Sequence, residues 1–142
     1  MNTLKTEIAT IGFSPFNKAL EALDVHVTLY DRQEEAIEGL RYRLQHGHRL
    51  PTLFITCAGL MVPLYDELVM FCNELSDKIP VVVYDQGFSA LRRREAKLLG
   101  AYDYVAEPID DEGLEKRILA AVMAQLESKN ETSIADNKTL KF

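Results

Sequence analysis

The stretch from Lys78 to Ile109, KIPVVVYDQGFSALRRREAKLLGAYDYVAEPI, decides the fold. Ile79 to Tyr84 is a nearly unbroken apolar and β-branched run around Pro80, the pattern of a strand buried on both faces. Gly87 and Ser89 break the chain, and Ser89 offers an N-cap for a helix through Leu99. In that helix Leu91, Ala96, Leu98 and Leu99 supply an apolar stripe, while Arg92, Arg93, Arg94 and Lys97 fall on the wet side. Gly100 closes the helix where a left-handed residue is needed. Ala101 to Ala106 is then a short second strand. A strand, a crossover helix of this length and another apolar strand make a βαβ unit, so the two strands are parallel.

The same alternation runs back to the amino terminus. Thr6 to Ile11 is a first strand ending at Gly12, and Ser14-Pro15 opens a helix through about Leu23. Val25 to Tyr30 is a second strand. Asp31 and Glu34 have capping-box spacing for a helix whose Ala36, Ile37, Leu40 and Leu44 recur at helical intervals, and that helix frays in His46-Gly47-His48. Thr52 to Cys57 is a third strand, followed by a helix from about Pro63 to Leu75 with Leu64, Leu68, Phe71 and Leu75 on one face. Asp110 or Asp111 caps a last helix through about Leu126, its buried stripe formed by Leu114, Ile118, Ala121, Val122 and Leu126. Five strands alternating with five helices predict an α/β fold, a doubly wound, flavodoxin-like parallel sheet of order 2-1-3-4-5. From Glu127 onward the composition turns polar, so residues 1–127 are expected to form the domain and residues 128–142 a tail or linker.

Bulk properties exclude several functions. A net charge of −6 and a pI near 5.1 argue against nucleic-acid binding through a broad basic surface. No apolar run reaches the ~18–20 residues of a membrane span, and no secretory signal is visible, so a cytoplasmic protein is expected. Cys57 and Cys72 lack metal-ligand spacing and lie in apolar segments, as buried thiols do. There is no phosphate-cradling glycine loop, since Gly12 stands alone after the first strand. His26, His46 and His48 form no nucleophile–base pattern. No cofactor is expected.

Gly100, Ala101, Asp103, Tyr104, Val105 and Pro108 resemble the end of a bacterial response-regulator receiver (CheY-like) domain, whose usual pattern is G-A-x-D-Y-hydrophobic-x-K-P. IPVVV resembles that family's fourth strand. The resemblance implies four site positions, and each departs from the family. The acidic pair expected after the first strand is replaced by Gly12 and Phe13. The phosphoacceptor aspartate of the third strand falls at Cys57 counting from Pro51, or at Gly59 counting back from Pro63, and no Asp or Glu occurs between Leu50 and Leu64. The Ser or Thr ending the fourth strand falls at Asp85, or at Tyr84 if the register slips. The lysine before Pro108 is Glu107. Like charges ~4 Å apart cost about 1–4 kcal/mol, so carboxylates at Asp85 and Glu107 oppose a phosphoryl group. The resemblance therefore implies a pseudo-receiver that takes no phosphate.

Other features carry two readings each. Tyr104 is either the aromatic that receivers swing between inward and outward rotamers or a half-packed strand tyrosine. The resemblance allows a cis bond at Glu107-Pro108. Asp85 and Glu107 with Asp110 or Asp111 offer too few oxygens for a hard cation, so they are expected as solvated loop carboxylates or caps, with no metal site. Arg92, Arg93, Arg94 and Lys97 are a solvated helix face or a docking patch, because receivers dimerise and bind partners through the fourth helix, last strand and last helix. The function implied is a non-enzymatic signalling module of a two-component-type pathway. It would act by protein contact, as a homodimer or with an output domain. The alternative is a small-ligand, nucleotide or flavin binder using the strand-end crevice near Gly12, Thr56, Asp85 and Glu107; a redox switch at Cys57 is a third reading.

Overall fold

A computed structural model of the chain describes residues 6–12, 17–58 and 65–140, with backbone only at 17 and 128–140. The elements alternate strictly: β1 (Glu7–Ile11), α1 (Asn17–Ala22), β2 (His26–Tyr30), α2 (Gln33–His46), β3 (Leu53–Ala58), α3 (Asp66–Glu74), β4 (Val81–Asp85), α4 (Ala90–Leu99), β5 (Asp103–Ala106) and α5 (Asp111–Leu140). All pairings are parallel, and the strand order is β2-β1-β3-β4-β5, as the alternation predicts. Central strands β3 and β4 are buried almost throughout because helices cover both faces.

The period-2 alternation of each strand divides its side chains between two cores. Ile8, Leu53, Ile55, Val82 and Val105 point to α1 and α5, where Leu114 and Ile118 meet them. Ala9, Ile11, Phe54 and Val81 point the other way, to α2 and α3, and Val83 and Tyr104 to Ala96 of α4. Helices α2, α3 and α4 therefore lie side by side over one face of the sheet. An ion pair fastens the first of them: Arg43 of α2 meets Glu7 of β1 at 2.7 Å, and Thr28 donates to the same carboxylate at 2.6 Å. Gly100 ends α4 at φ +104°, and Gly47 ends α2 at φ +67°, each with its N–H bonded back to the last turn. Asp110 caps α5 by accepting the Gly113 N–H at 2.7 Å.

Several local expectations are corrected. Helix α2 does not use the capping box; its N-cap is Arg32, and no side chain caps it. Nor does it fray, because left-handed Gly47 closes it. Leu44 and Leu126 are exposed rather than buried. In α4 the expected stripe is largely inverted: Ala96 is buried, but Leu91 and Leu98 are 66% and 77% exposed. Arg92, assigned to solvent, is turned inward to a carboxylate on β4. Arg92, Ala96 and Leu99 share the inward side of α4, and Leu91 and Leu98 fall outside it. Helix α5 continues past Leu126 to Leu140, through residues read as a polar tail. The expected cap at Ser14-Pro15 and the start of the third helix at Pro63 and Leu64 lie outside the described residues.

Candidate functional site

The carboxyl ends of β1, β3, β4 and β5 define the edge where a doubly wound sheet places its working groups. On β4, position 85 faces the α4 side, where burial would be costly for an unpaired carboxylate. Asp85 is nonetheless fully buried. Its Oδ2 accepts from Arg92 Nε at 2.6 Å, and its Oδ1 from Arg92 Nη2 at 3.3 Å. The Tyr104 hydroxyl donates to Oδ2, and the Gly87 N–H reaches Oδ1 at 3.4 Å. Tyr104 is itself buried on β5, and its hydroxyl accepts the Ser89 N–H at 3.1 Å. Burial pulls the Asp85 carboxyl upward, but Arg92, Tyr104 and Gly87 together bring it below the ordinary carboxylate range. Burial, and then Asp85, push the Tyr104 phenol up, so it stays a donor. One carboxylate thus binds β4, β5 and the first turn of α4 together.

Sequence places these partners locally. Gly87 lets the chain turn after β4, Ser89 caps α4 by accepting the Arg92 N–H at 3.2 Å, and that cap sets Arg92 in the first turn, within reach of Asp85.

Glu107 follows β5 on the other side. Its N–H donates to the Asp85 carbonyl at 3.0 Å, and the Glu107-Pro108 bond is cis. The Tyr84 hydroxyl donates to Glu107 Oε1. Burial, and then this carboxylate, push the Tyr84 phenol upward. The surface beside it is an open basin of about 730 Å³ lined by Gln86, Glu107, Pro108, Ile109 and Asp110. Among the described residues that line it are two carboxylates and no cation.

Of the remaining predicted positions, Gly12 has φ +86°, and a Cβ there would lie 3.6 Å from Cys57 Cβ. Cys57 pairs with Tyr84 and packs on the α1–α5 core, on the face of the sheet opposite Asp85. Burial pushes its thiol up to about 11. Ala58, registered against Asp85, ends β3. Phe13 and Gly59 lie outside the described residues. Arg93 and Lys97, with Asp103, Tyr104, Glu107 and Arg117, line a second hollow between α4, β5 and α5, while Arg94 is exposed. Arg117 ties α5 to β5 through Asp103 at 2.6 Å.

Two expectations about this site change. Asp85 is not a solvated loop carboxylate but the buried centre of a network, and Arg92 is its partner rather than part of the solvated run. The signal was present: an aspartate ending a strand, a glycine turn, a serine cap, then arginine. Among the described residues, Gly12 and Cys57 bring no carboxylate to the ends of β1 and β3, and Asp85 is committed to Arg92. Among the described residues no three His, Cys, Asp or Glu gather as a metal would need.

No family model and no curated protein matches this sequence. Solved structures do match it in shape. A signal receiver domain of an HD domain-containing protein from Pseudomonas fluorescens Pf-5 has TM-score 0.72 and 18% identity, over 92% of this chain and 96% of that one. The CheY-like receiver domain protein from Methanospirillum hungatei JF-1 has TM-score 0.68 and 15% identity, over 89% of this chain and 99% of that one. The fold is that of a receiver domain. NtrX from Brucella abortus, solved in complex with ADP, aligns with TM-score 0.72 and 13% identity, but 92% of this chain spans only 29% of that one. A receiver-like unit of this shape thus also occurs inside longer chains.

Proposed function

We propose that this chain is a phosphorylation-independent receiver-like module, a regulatory or adaptor part of a two-component-type pathway, which acts in the cytoplasm by protein contact. The carrying observation is the Asp85–Arg92–Tyr104 network. It fills with an internal ion pair the strand end where receivers bond a phosphoryl oxygen. Glu107 in the lysine position and the lack of any carboxylate from Leu50 to Leu64 support the same reading. The module needs no catalytic group and no cofactor. The Tyr84–Glu107 bond and the acidic basin beside it disfavour a nucleotide phosphate in the strand-end crevice.

The contact face is α4, β5 and the start of α5. Phe88, Leu91, Leu98 and Tyr102 are exposed there, beside Arg93, Arg94 and Lys97. Apolar side chains left in water among charges favour a protein partner, and a second copy docks on this face to make a homodimer. Residues 1–127 are the module, and residues 128–142 are a polar tail or linker.

Addition of Mg²⁺ and beryllofluoride, a phosphoryl mimic, followed by NMR, tests the central claim. Amide signals of Gly12, Thr56, Cys57, Asp85 and Glu107 should stay in place. Saturable shifts clustered at those residues would overturn it.

A further inference from the structure

Helices α2 and α3 leave a groove of about 440 Å³ between them. Each helix contributes one face at i, i+3, i+4, i+7 spacing: Glu34, Ile37, Glu38 and Arg41 from α2, and Glu67, Met70, Phe71 and Glu74 from α3. The floor is apolar. Ile37 is buried, Phe71 half-buried, and Met70 is 49% exposed. Among the described residues that line it, four carboxylates stand against one cation, Arg41, whose guanidinium lies 5.5 Å from the centre of the Phe71 ring. The groove therefore suits an element with apolar side chains on a positive helix.

The same layer of the molecule carries such an element. Leu91, Arg94 and Leu98 stand at i, i+3, i+7 on α4, all exposed, with Lys97 and Arg93 beside them. Both leucines stand in solvent, because Arg92 and Ala96 hold another side of the helix to Asp85 and the core. Helices α2, α3 and α4 cover one face of the sheet in that order, so groove and ridge lie on one surface, separated by α3. A two-fold axis near α3 would set each copy's ridge on the other's groove, and such an assembly closes at two.

We infer that the acidic α2–α3 groove receives the Leu91–Arg94–Leu98 ridge of α4 from a second copy of this chain, reciprocally. This rests on the reading that α4 is a docking element, and it names what α4 docks on. Leu91 and Leu98 cover Met70 and Phe71, and Arg94 stands among Glu38 and Glu67. Attraction across this contact steers encounter and fixes register, and it weakens as salt shortens the screening length.

Sedimentation of the full chain and charge-reversal variants tests the contact. The unaltered chain should dimerise, more weakly at high salt. Arg94→Glu alone, and Glu38→Lys with Glu67→Lys, should each raise the dimer dissociation constant about tenfold or more. Mixing the two variants should restore dimers, because each then meets a complementary surface at both contacts. All three residues are exposed, and unchanged far-UV circular dichroism confirms folding. If the groove variant dimerises normally while Leu98→Arg does not, α4 docks elsewhere: the inference falls and the reading of α4 stands. A chain that stays monomeric at millimolar concentration overturns both.

Discussion

The buried carboxylate of Asp85 offers the sharpest test of the structural reasoning. Replacing it with alanine removes the acceptor for Arg92, for the Tyr104 hydroxyl and for the Gly87 N–H. Arg92 is partly exposed and regains water, so its share is small. The Tyr104 hydroxyl is buried and loses its acceptor, which costs about 1–3 kcal/mol, and the lost carboxylate bonds add a further ~1 kcal/mol. Asp85→Ala should therefore destabilise by about 2–4 kcal/mol. Tyr104→Phe, which strands the Ser89 N–H but leaves Arg92 on Asp85, should cost about 1–2 kcal/mol. Because the two side chains share one bond, the double variant should fall short of additivity by about 1 kcal/mol. Urea unfolding monitored by circular dichroism measures each, through midpoint shifts at constant slope. Acid gives a second arm. A carboxyl lowered in the folded state contributes stability that is present above its unfolded pKa of ~3.9 and is lost as pH falls through the folded value. The loss of stability from pH 5 to pH 2 should be shallower in Asp85→Ala than in the parent chain. A cost under ~1 kcal/mol with strict additivity would refute the network as the element joining β4, β5 and α4.

Other expectations follow from single contacts. Burial pushes the thiols of Cys57 and Cys72 up to about 11 and about 12, so a disulfide reagent at pH 8 should modify the folded chain slowly and both thiols quickly in urea. A rapid phase from one thiol in the folded chain would instead revive Cys57 as a redox site. At Gly100, φ is +104° and a Cβ would lie 1.9 Å from Asn73 Nδ2, which donates to the Leu99 and Gly100 carbonyls. Gly100→Ala should cost more than ~1 kcal/mol in urea unfolding, and a neutral result would contradict the left-handed cap. Ile118→Ala, in the fully buried α5 face, should cost about 2–5 kcal/mol, whereas Leu119→Ala on the exposed side should cost little.

The strand order, the helix alternation and the cap at Ser89 were legible in the sequence because each rests on a local rule: period-2 burial, a turn glycine, a serine before a helix. Rotation of a helix about its axis is not local, and there the reading failed. The stripe Leu91, Ala96, Leu98, Leu99 is a reasonable amphipathic pattern, yet α4 packs through Ala96 and Leu99 with Arg92 beside them, which leaves Leu91 and Leu98 in solvent. The Asp85–Arg92 pair on that inward side converted a presumed loop carboxylate into the centre of the site. The capping box at Asp31 failed for a related reason, since α2 starts at Gln33, whose buried side chain accepts the Leu68 N–H at 3.3 Å and so anchors that end from α3. The departures from the receiver pattern at Gly12, Cys57, Asp85 and Glu107 were legible from residue types alone, whereas the direction in which Arg92 turns depends on how α4 packs.

On the proposed reading, the network around Asp85 makes phosphoryl chemistry hard to install by single changes. A phosphoryl group brings a charge of about −2 and needs cations free to meet it. Arg92, the cation nearest the end of β4, is neutralised by Asp85 and held by the first turn of α4. Glu107→Lys supplies a cation but still leaves β3 without an acceptor carboxylate, and it removes an acceptor of the Tyr84 hydroxyl. Asp85→Thr recreates the receiver residue but leaves Tyr104 and Arg92 without their shared anion. Each step towards the receiver pattern therefore weakens the fold before any phosphate can bind. In this chain Asp85 itself links the ends of β4 and β5 to α4. On the proposed phosphorylation-independent reading, the state of the α4–β5 surface is therefore set by folding, and variation in its activity comes from what docks on it.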